Sequence, residues 1–439
     1  MKKILVAGAG HGGLIVAANL AKRGFNVTVI EQKRRSDLGY DWTDIFDINS
    51  FISAGVPIKK SMHFEYKDDM TFYTPTLKFS KKPTIPLREK EVKMERKQIY
   101  DILIRFAIRN GVKMVYNTKI ERAICDNNRV VGIKTTECDY YADLVIDACG
   151  INSKVRCTLP KKFKIEGKID MDKQFYVYRA FYNCLKNKEN DEKYKVYLMP
   201  RNSRGICWVA TENNYVDILI GRFYPINKKG IDSELSWLRE NNFIGSKILR
   251  GGQIERIPIR RPLSQMVYNG YAAIGDSAFM TIPLMGSGLA MCAKAAKILA
   301  EVIIKKQDTD YRIEDLWDYQ TLFYRKIGYD LAYKDVLKEL FINMDPNDID
   351  VIFKNNIIND EILLDITNGK KLELTIKDII KQGKNGVFHP KILLELSNAL
   401  LKAKKISNLC KRIPKEYSYL EIEEWKEKYM NIKDIKTFS

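Results

Sequence analysis

The stretch Lys3-Ile4-Leu5-Val6-Ala7-Gly8-Ala9-Gly10-His11-Gly12-Gly13-Leu14 decides the fold. Ile4 to Ala7 form a short apolar run of the kind that fills a buried parallel strand. Gly8, Gly10 and Gly13 then fit the spacing G-x-G-x-x-G. The three glycines act differently. Gly8 permits the tight turn, Gly10 lets the backbone approach a pyrophosphate, and Gly13 lets the helix pack on the strand. A helical pattern follows from Leu14 to Arg23, and Gly24 caps it. Val27 to Ile30 is a second β-branched strand, so the chain opens with the βαβ unit of a doubly wound sheet. The helix N-terminus offers unpaired amides and a positive dipole end to phosphates. The second strand ends in Glu31, 18 residues after Gly13, where a carboxylate accepts hydrogen bonds from ribose hydroxyls. Its charge argues against a 2′-phosphate there. Gly12 and Gln32 border the same ligand, and His11, at a variable position, is expected to contribute its backbone alone. A functionless glycine loop is the alternative, and the flanking strands argue against it.

Outward from this unit, Met94-Glu95-Arg96 leads into a helix over Lys97 to Asn110, with Ile99, Leu103, Phe106 and Ala107 on one face. Val112 to Tyr116 reads as a strand. Leu144-Val145-Ile146 reads as another buried strand, closing at Gly150. Alternating pieces such as Met70-Thr71-Phe72-Tyr73, Phe175-Tyr176-Val177-Tyr178 and Ile218-Leu219-Ile220 predict antiparallel strands. Ala272-Ala273-Ile274 enters Gly275-Asp276, and a helix follows from about Ser287 to Lys305. From Ile313 onward the pattern is helical. The expected division is a discontinuous dinucleotide domain (1–50, 90–155, 265–305), a strand-rich substrate domain (51–89, 156–264) and a helical C-terminal region (306–439).

Two stretches carry a family resemblance. Asp143-Leu144-Val145-Ile146-Asp147-Ala148-Cys149-Gly150-Ile151-Asn152-Ser153-Lys154-Val155-Arg156 resembles the middle motif of flavoprotein hydroxylases and geranylgeranyl reductases. Gly275-Asp276-Ser277-Ala278 and Pro283-Leu284-Met285-Gly286-Ser287-Gly288-Leu289 resemble their C-terminal FAD motif. Order and spacing match over residues 1–300 or so, and the region after Tyr319 looks like a geranylgeranyl reductase tail. The resemblance is to the geranylgeranyl reductase and para-hydroxybenzoate hydroxylase-like superfamily of FAD-dependent oxidoreductases. It implies an α/β fold with a Rossmann-type, glutathione-reductase-like FAD domain beside an antiparallel substrate sheet. It also implies that Arg96, Gly150, Gly275, Asp276, Pro283, Gly286, Ser287 and Gly288 serve FAD. Asp276 would hold a ribityl hydroxyl, with a simple helix cap as the bland alternative. The dipole of the following helix favours negative charge on the reduced ring.

The same resemblance carries two chemistries: hydride transfer to a prenyl C=C bond, and oxygen activation for hydroxylation. Cys149 stands where aromatic hydroxylases have the aspartate of an Asp-Gly pair, which favours the reductase branch. The Trp-x-Trp-x-Ile-Pro signature of flavin halogenases is absent. No second G-x-G-x-x-G is present, so electrons are expected from NAD(P)H in a transient visit or from a small reduced redox protein. The cysteine that some archaeal geranylgeranyl reductases place after the second strand is missing from Gly39-Tyr40-Asp41-Trp42-Thr43-Asp44. Tyr40, Asp41 and Trp42 are the candidates for the flavin face and for a proton donor. Tyr176, Tyr178 and Trp208 are candidate substrate-wall residues, although aromatics at strand spacing are more often core. An FAD monooxygenase and a non-catalytic flavin-binding protein remain as alternatives.

Composition sets the outer bounds. The chain has 439 residues, 45% hydrophobic and 29% charged, with net charge +19. Lysines are scattered among acidic residues and no nucleic-acid module motif is present, so nucleic acid is not an expected partner. The eight cysteines form no C-x-x-C pair and no metal-ligand pattern, which predicts a reduced, cytoplasmic setting without a metal. Tyr271 to Ile304 is the most apolar stretch, but it is interrupted by Asp276, Pro283 and glycines, unlike a membrane span. Lys391 to Arg412 predicts a basic amphipathic helix with Ile392, Leu396, Leu400 and Ile406 on one side. Such a face either packs on the protein or lies on the inner surface of a membrane, where a lipid substrate would reside.

Overall fold

The computed structural model describes residues 1–58, 64–86, 91–185, 192–212, 214–367 and 390–431. Two stretches of the expected helical tail, 368–389 and 432–439, lie outside the described residues.

The central sheet has the order β18 (Val267–Tyr268), β19 (Tyr271–Ala273), β12 (Leu144–Asp147), β1 (Lys3–Ala7), β2 (Asn26–Ile30) and β8 (Lys113–Val115). From β19 to β8 every pairing is parallel, and only the edge strand β18 runs antiparallel. These strands are buried on both faces, which is why they read as unbroken apolar runs. Helices α1 (His11–Ala21), α2 (Ile48–Ser53) and α3 (Arg96–Arg109) flank the sheet, and α6 (Leu289–Lys305) packs on α1. A Cβ on Gly13 would stand 2.6 Å from the Ala148 Cβ and 2.9 Å from the Val6 Cγ1. Only glycine allows α1 to approach the sheet this closely, as its sequence position predicts. The helix begins at His11, three residues earlier than the periodicity indicates, because Gly12 and Gly13 already lie in its first turn.

A second, seven-stranded sheet has the order β17 (Ile244–Pro258), β13 (Gln174–Cys184), β16 (Tyr215–Arg222), β15 (Gly205–Thr211), β14 (Tyr194–Leu198), β5 (Met70–Tyr73) and β6 (Ser80–Lys81). It draws strands from both sides of the central-sheet segments. Helix α5 (Lys228–Asn241) buries Ile231, Leu235 and Leu238 against one face, together with Tyr178 and Tyr182. The opposite face places Phe175, Val177 and Phe181 in a core shared with Trp42 and Ile259. Two three-stranded sheets complete the β-structure: β11 (Asp139–Tyr141), β10 (Arg129–Thr135) and β9 (Ile120–Asp126), and β3 (Thr43–Phe46), β7 (Val92–Glu95) and β4 (Glu65–Tyr66).

The helical C-terminal region has no single core of its own. Helix α7 (Ile313–Phe323) and helix Tyr419–Met430 place Leu316, Trp317, Trp425 and Tyr429 in the core of the central sheet. Helices α8 (Tyr329–Asn343), α9 (Pro346–Lys354) and α10 (Asp360–Thr367) instead pack with Phe72 and Val196 of the second sheet. Helix Pro390–Lys411 turns Ile392, Leu396, Leu400 and Ile406 inward and leaves Leu394 and Leu401 exposed, so the apolar face expected for it is used mainly in packing. Among the described residues, no helix is long and apolar enough to cross a membrane.

One buried network fixes the strand ends. The Asp147 carboxylate at the end of β12 is fully buried. It accepts hydrogen bonds from Ser153 Oγ (2.5 Å), Tyr271 Oη (3.0 Å) and the amides of Cys149 (3.1 Å) and Arg156 (3.2 Å). Helix α4 (Lys154–Cys157) is thereby capped by Ser153 and held against the sheet. The Arg156 guanidinium donates to Ile151 O (2.7 Å), Gly167 O (2.9 Å) and Ser277 O, and lies over the Phe279 ring. It thus ties the loop after β12 to the loop after β19. A hydrogen bond to a charged group contributes about 1.5–3 kcal/mol, and its loss leaves buried donors unpaired. Asp147→Ala is therefore expected to lower stability by at least about 3 kcal/mol, with Asp147→Asn intermediate, as measured by urea unfolding midpoints.

Candidate functional site

The C-terminal ends of β1, β2, β12 and β19 meet at a cavity of about 540 Å³. Nucleotides bind at this position of an open parallel sheet, and the volume lies in the usual range of roughly 300–1,000 Å³ for such sites. Gly8, Gly10, His11 and Gly12 line its β1 side, and Glu31 and Gln32 its β2 side. Gly150 lines it after β12, and Gly275, Asp276, Gly286, Ser287 and Gly288 line it between β19 and α6. The sequence-predicted residues thus converge from four separated segments. Gly13 stays outside and serves helix packing. Pro283 also stays outside this cavity and lines the neighbouring one instead, because the Pro283–Gly286 turn passes between the two.

Local geometry suits a dinucleotide. Gly8 has φ +86°, and a Cβ there would stand 2.8 Å from the Ala148 carbonyl oxygen. The ladder continues past it, with the Gly8 amide bonded to Ile30 O at 2.8 Å. Glu31 is oriented by the amides of Ala9 (2.8 Å) and Lys33 (2.9 Å), which leaves lone pairs on both oxygens for ribose hydroxyls. The Asp276 carboxylate accepts from Thr281 Oγ1 at 2.8 Å, and burial raises its pKa. Lys33, Lys119, Lys154 and Arg256 supply positive charge around the cavity.

A second cavity of about 370 Å³ adjoins the first. Trp42, Asp44, Arg96, Ile257, Gly286 and Ser287 line both, so these residues form the junction. The second cavity is walled by apolar side chains of the seven-stranded sheet, among them Phe72, Val177, Val196, Ile206 and Leu219. Phe341, Ile352 and Phe353 of α8 and α9 close it from the helical side. Trp208 is part of this wall, as expected. Tyr176 and Tyr178 are not. Along β13 the odd-numbered Phe175, Val177 and Arg179 face the cavity, and Tyr178 points to the opposite face, where its hydroxyl meets Tyr182 Oη at 2.8 Å. Strand alternation puts Tyr176 on that same opposite side.

Charge at the junction is paired. Arg96, the first residue of α3, donates Nε to Asp44 Oδ2 at 2.6 Å, and its guanidinium lies 4.9 Å from the Tyr40 ring centroid and 5.7 Å from that of Trp42. Burial pulls the Asp44 carboxyl up, but the Arg96 charge and hydrogen bonds outweigh it and hold it below the usual range. Beneath the junction, Arg179 is 4% exposed. It binds Asp217 with Nε (2.9 Å) and Nη2 (2.6 Å), and reaches Thr43 O (2.6 Å) and Oγ1 (2.6 Å). That pair fixes β3 and hence Trp42 and Asp44.

The three catalytic candidates separate. Tyr40 and Trp42 line the dinucleotide cavity. Burial and then Glu255 push the Tyr40 hydroxyl up to about 12. Asp41 turns away to ion pairs with Arg250 (3.4 Å) and Lys97 (3.7 Å), so it is no candidate acid. The His11 side chain does more than its motif position suggests. Its ring packs on Tyr100 with centroids 4.5 Å apart, and Nε2 is buried with no hydrogen-bond partner among the described residues. Burial, then the Arg96 charge, push its pKa down to about 4 against the opposing effect of Asp44. Sequence reading missed Asp44, Tyr100, Arg179 and the entire α8–α9 wall. Arg179 as the one charged residue of β13, and the apolar spacing of Ile349, Ile352 and Phe353, are the signals that point to them.

Comparisons with known proteins agree with this layout. A family model described as an NAD(P)-binding Rossmann-like domain matches residues 6–67. A digeranylgeranylglycerophospholipid reductase from Sulfolobus acidocaldarius is 23% identical over 400 residues, which cover 85% of this chain and 85% of that protein. The solved structure of a geranylgeranyl bacteriochlorophyll reductase-like protein from Thermoplasma acidophilum superposes with a TM-score of 0.72 at 18% identity, covering 91% of this chain and 99% of its own. A flavin-dependent brominase superposes with a TM-score of 0.65 at 16% identity, covering 92% of this chain and 99% of its own. The chain therefore carries a Rossmann-like dinucleotide domain in the fold that these proteins share.

Gly8→Ala should weaken dinucleotide binding at least about tenfold, since a turn strained by ~1–3 kcal/mol shifts the phosphate cradle; equilibrium dialysis of the variant checks this. His11 is neutral in the folded protein down to about pH 4, whereas an unfolded histidine takes up its proton near pH 6.5. Stability should therefore fall as pH drops from about 6.5 to about 4, and His11→Gln should flatten that part of the profile in unfolding titrations.

Proposed function

We propose that this chain is an FAD-dependent reductase that delivers hydride from reduced FAD to a C=C bond of a hydrophobic, isoprenoid substrate. The observation that carries the reading is the junction of two unlike cavities. A polar one is built on the glycine turn and Glu31, and an apolar one opens from it at Trp42, Arg96 and Gly286–Ser287. The names of the lipid-reductase relatives support the same substrate class.

In this reading the first-turn amides of α1 hold the pyrophosphate, Glu31 the adenosine ribose and Asp276 a ribityl hydroxyl. When bound, FAD supplies the hydride chemistry. The rest falls to side chains. Arg96, held and charge-paired by Asp44, presents its guanidinium at the junction without leaving an uncompensated ion there. The apolar wall excludes water, so a carbon–carbon double bond competes with solvent for the reacting position. Tyr40 keeps its proton on Oη at the cavity edge, because burial and then the nearby Glu255 charge raise its pKa. With Asp41 turned outward, this hydroxyl is the group we assign to deliver the one proton that, with the hydride, completes addition across the C=C bond, the phenolate then regaining a proton from solvent. The basic residues around the dinucleotide cavity favour an anionic donor, consistent with NAD(P)H or an acidic redox protein. Leu394 and Leu401, exposed beside Lys391, Lys402 and Lys405, support a peripheral contact with an anionic membrane from which a lipid is drawn.

The test is anaerobic. After loading with FAD and reduction, a geranylgeranyl lipid should reoxidise the protein much faster than air does. Ile206→Asp, which puts a charge into the apolar wall, should lower kcat/KM for the lipid by about a hundredfold or more while FAD stays bound. Fast oxygen uptake stimulated by a substrate, with an oxygenated product, would establish a monooxygenase instead. Bound FAD that no donor reduces would establish a non-catalytic flavin protein.

A further inference from the structure

The apolar cavity does not end against solid core on its helical side. Phe341 of α8, Ile358 and Ile366 line it, and the same three residues line a separate void of about 20 Å³. The void's remaining wall is Leu337, Ile357, Leu396 and Leu400. Every one of these residues is apolar, so a space of this size, about that of one water, stays dry. The partition between cavity and void is therefore one side chain thick, and its bulkiest member is the Phe341 ring. Leu337 and Phe341 lie one helical turn apart on α8, which places one behind the partition and the other in it.

We infer that Phe341 sets the length of chain that the apolar cavity admits. The inference rests on the reading of that cavity as the seat of a long apolar substrate. A chain threaded from the junction at Trp42 and Ser287 toward α8 and α9 meets the Phe341 ring as a stop. Removing the ring joins cavity and void and gives the distal end of a longer chain apolar surface to bury. Two further methylene groups taken from water correspond to about a tenfold gain in affinity.

The test uses the full-length protein and displacement of the neutral dye Nile red by farnesol, geranylgeraniol and longer linear prenyl alcohols. The parent should bind up to a cutoff length and lose affinity beyond it. Phe341→Ala should move the cutoff by about one isoprene unit, with at least about tenfold tighter binding of the first alcohol past it. Ile358→Ala should move it in the same direction by less. Filling the void from behind with Leu396→Phe, in the Phe341→Ala background, should restore the parental cutoff. Should Phe341→Ala fail to fold, Phe341→Leu and Ile358→Ala carry the same comparison. An unchanged cutoff in variants that fold and bind prenyl alcohols overturns the assignment of Phe341 alone. Failure of the parent to bind any prenyl alcohol overturns the reading of the cavity, and this inference with it.

Discussion

Four hydrogen bonds converge on the carboxylate of Asp147, and the geometry of the site follows from them. A buried carboxylate is tolerated only when its lone pairs are used. Here they are used to collect the loop after β12, the cap of α4 and the first residue of β19. Arg156 then carries the connection across to Ser277, so the two loops bordering the dinucleotide cavity are held as one piece. Gly8 and Gly13 complete the arrangement from the other side, since both approach Ala148, the residue that follows Asp147. The strand ends, the turn and the helix therefore stand in a fixed relation before any ligand arrives.

A second pair of charges sets the relation between the two cavities. Arg179 reaches from the seven-stranded sheet, which is mixed and not wholly antiparallel because β14 and β5 pair in parallel, into β3 and holds Thr43, while Asp217 satisfies the remaining face of its guanidinium. Asp44, the next residue, clasps Arg96 at the start of α3. The chain Asp217–Arg179–Thr43–Asp44–Arg96 thus crosses from one sheet to the other, and Trp42 rides on it. The junction is paired in charge, and its neighbours on the substrate side are mainly apolar, with Lys67 paired to Glu91 and Arg179 to Asp217 among them. A polar cofactor and an apolar partner can be brought together there without leaving an ion uncompensated.

Much of this is local and therefore legible from sequence. The glycine turn, Glu31 and the two loops after β12 and β19 are short-range patterns, and their residues come together around one cavity. What the sequence conceals is which face of a doubly apolar strand looks inward. Phe175, Tyr176, Val177 and Tyr178 are all apolar, so period-two alternation leaves two equivalent choices. Arg179 breaks the tie, because a charged side chain in a buried strand must face its partner. Asp41 was hidden for a different reason: Arg250, 209 residues away, turns it outward. The helical wall was hidden because α8 and α9 each serve two surfaces, the core and the cavity, and a sequence pattern does not distinguish them. His11 shows that a variable position in a motif can still carry a buried side chain.

If the two cavities work together, an apolar chain and the flavin ring lie against one another across the Trp42–Arg96–Ser287 junction. The visible difference spectrum of the oxidised, FAD-loaded protein on addition of a prenyl lipid, in parallel with a binding assay, reads that contact. A saturable perturbation of the flavin band is expected, with a midpoint that matches that of binding, and it should be lost in Ile206→Asp. Saturable binding of the lipid with no change in the flavin band would place the lipid elsewhere and refute the shared junction.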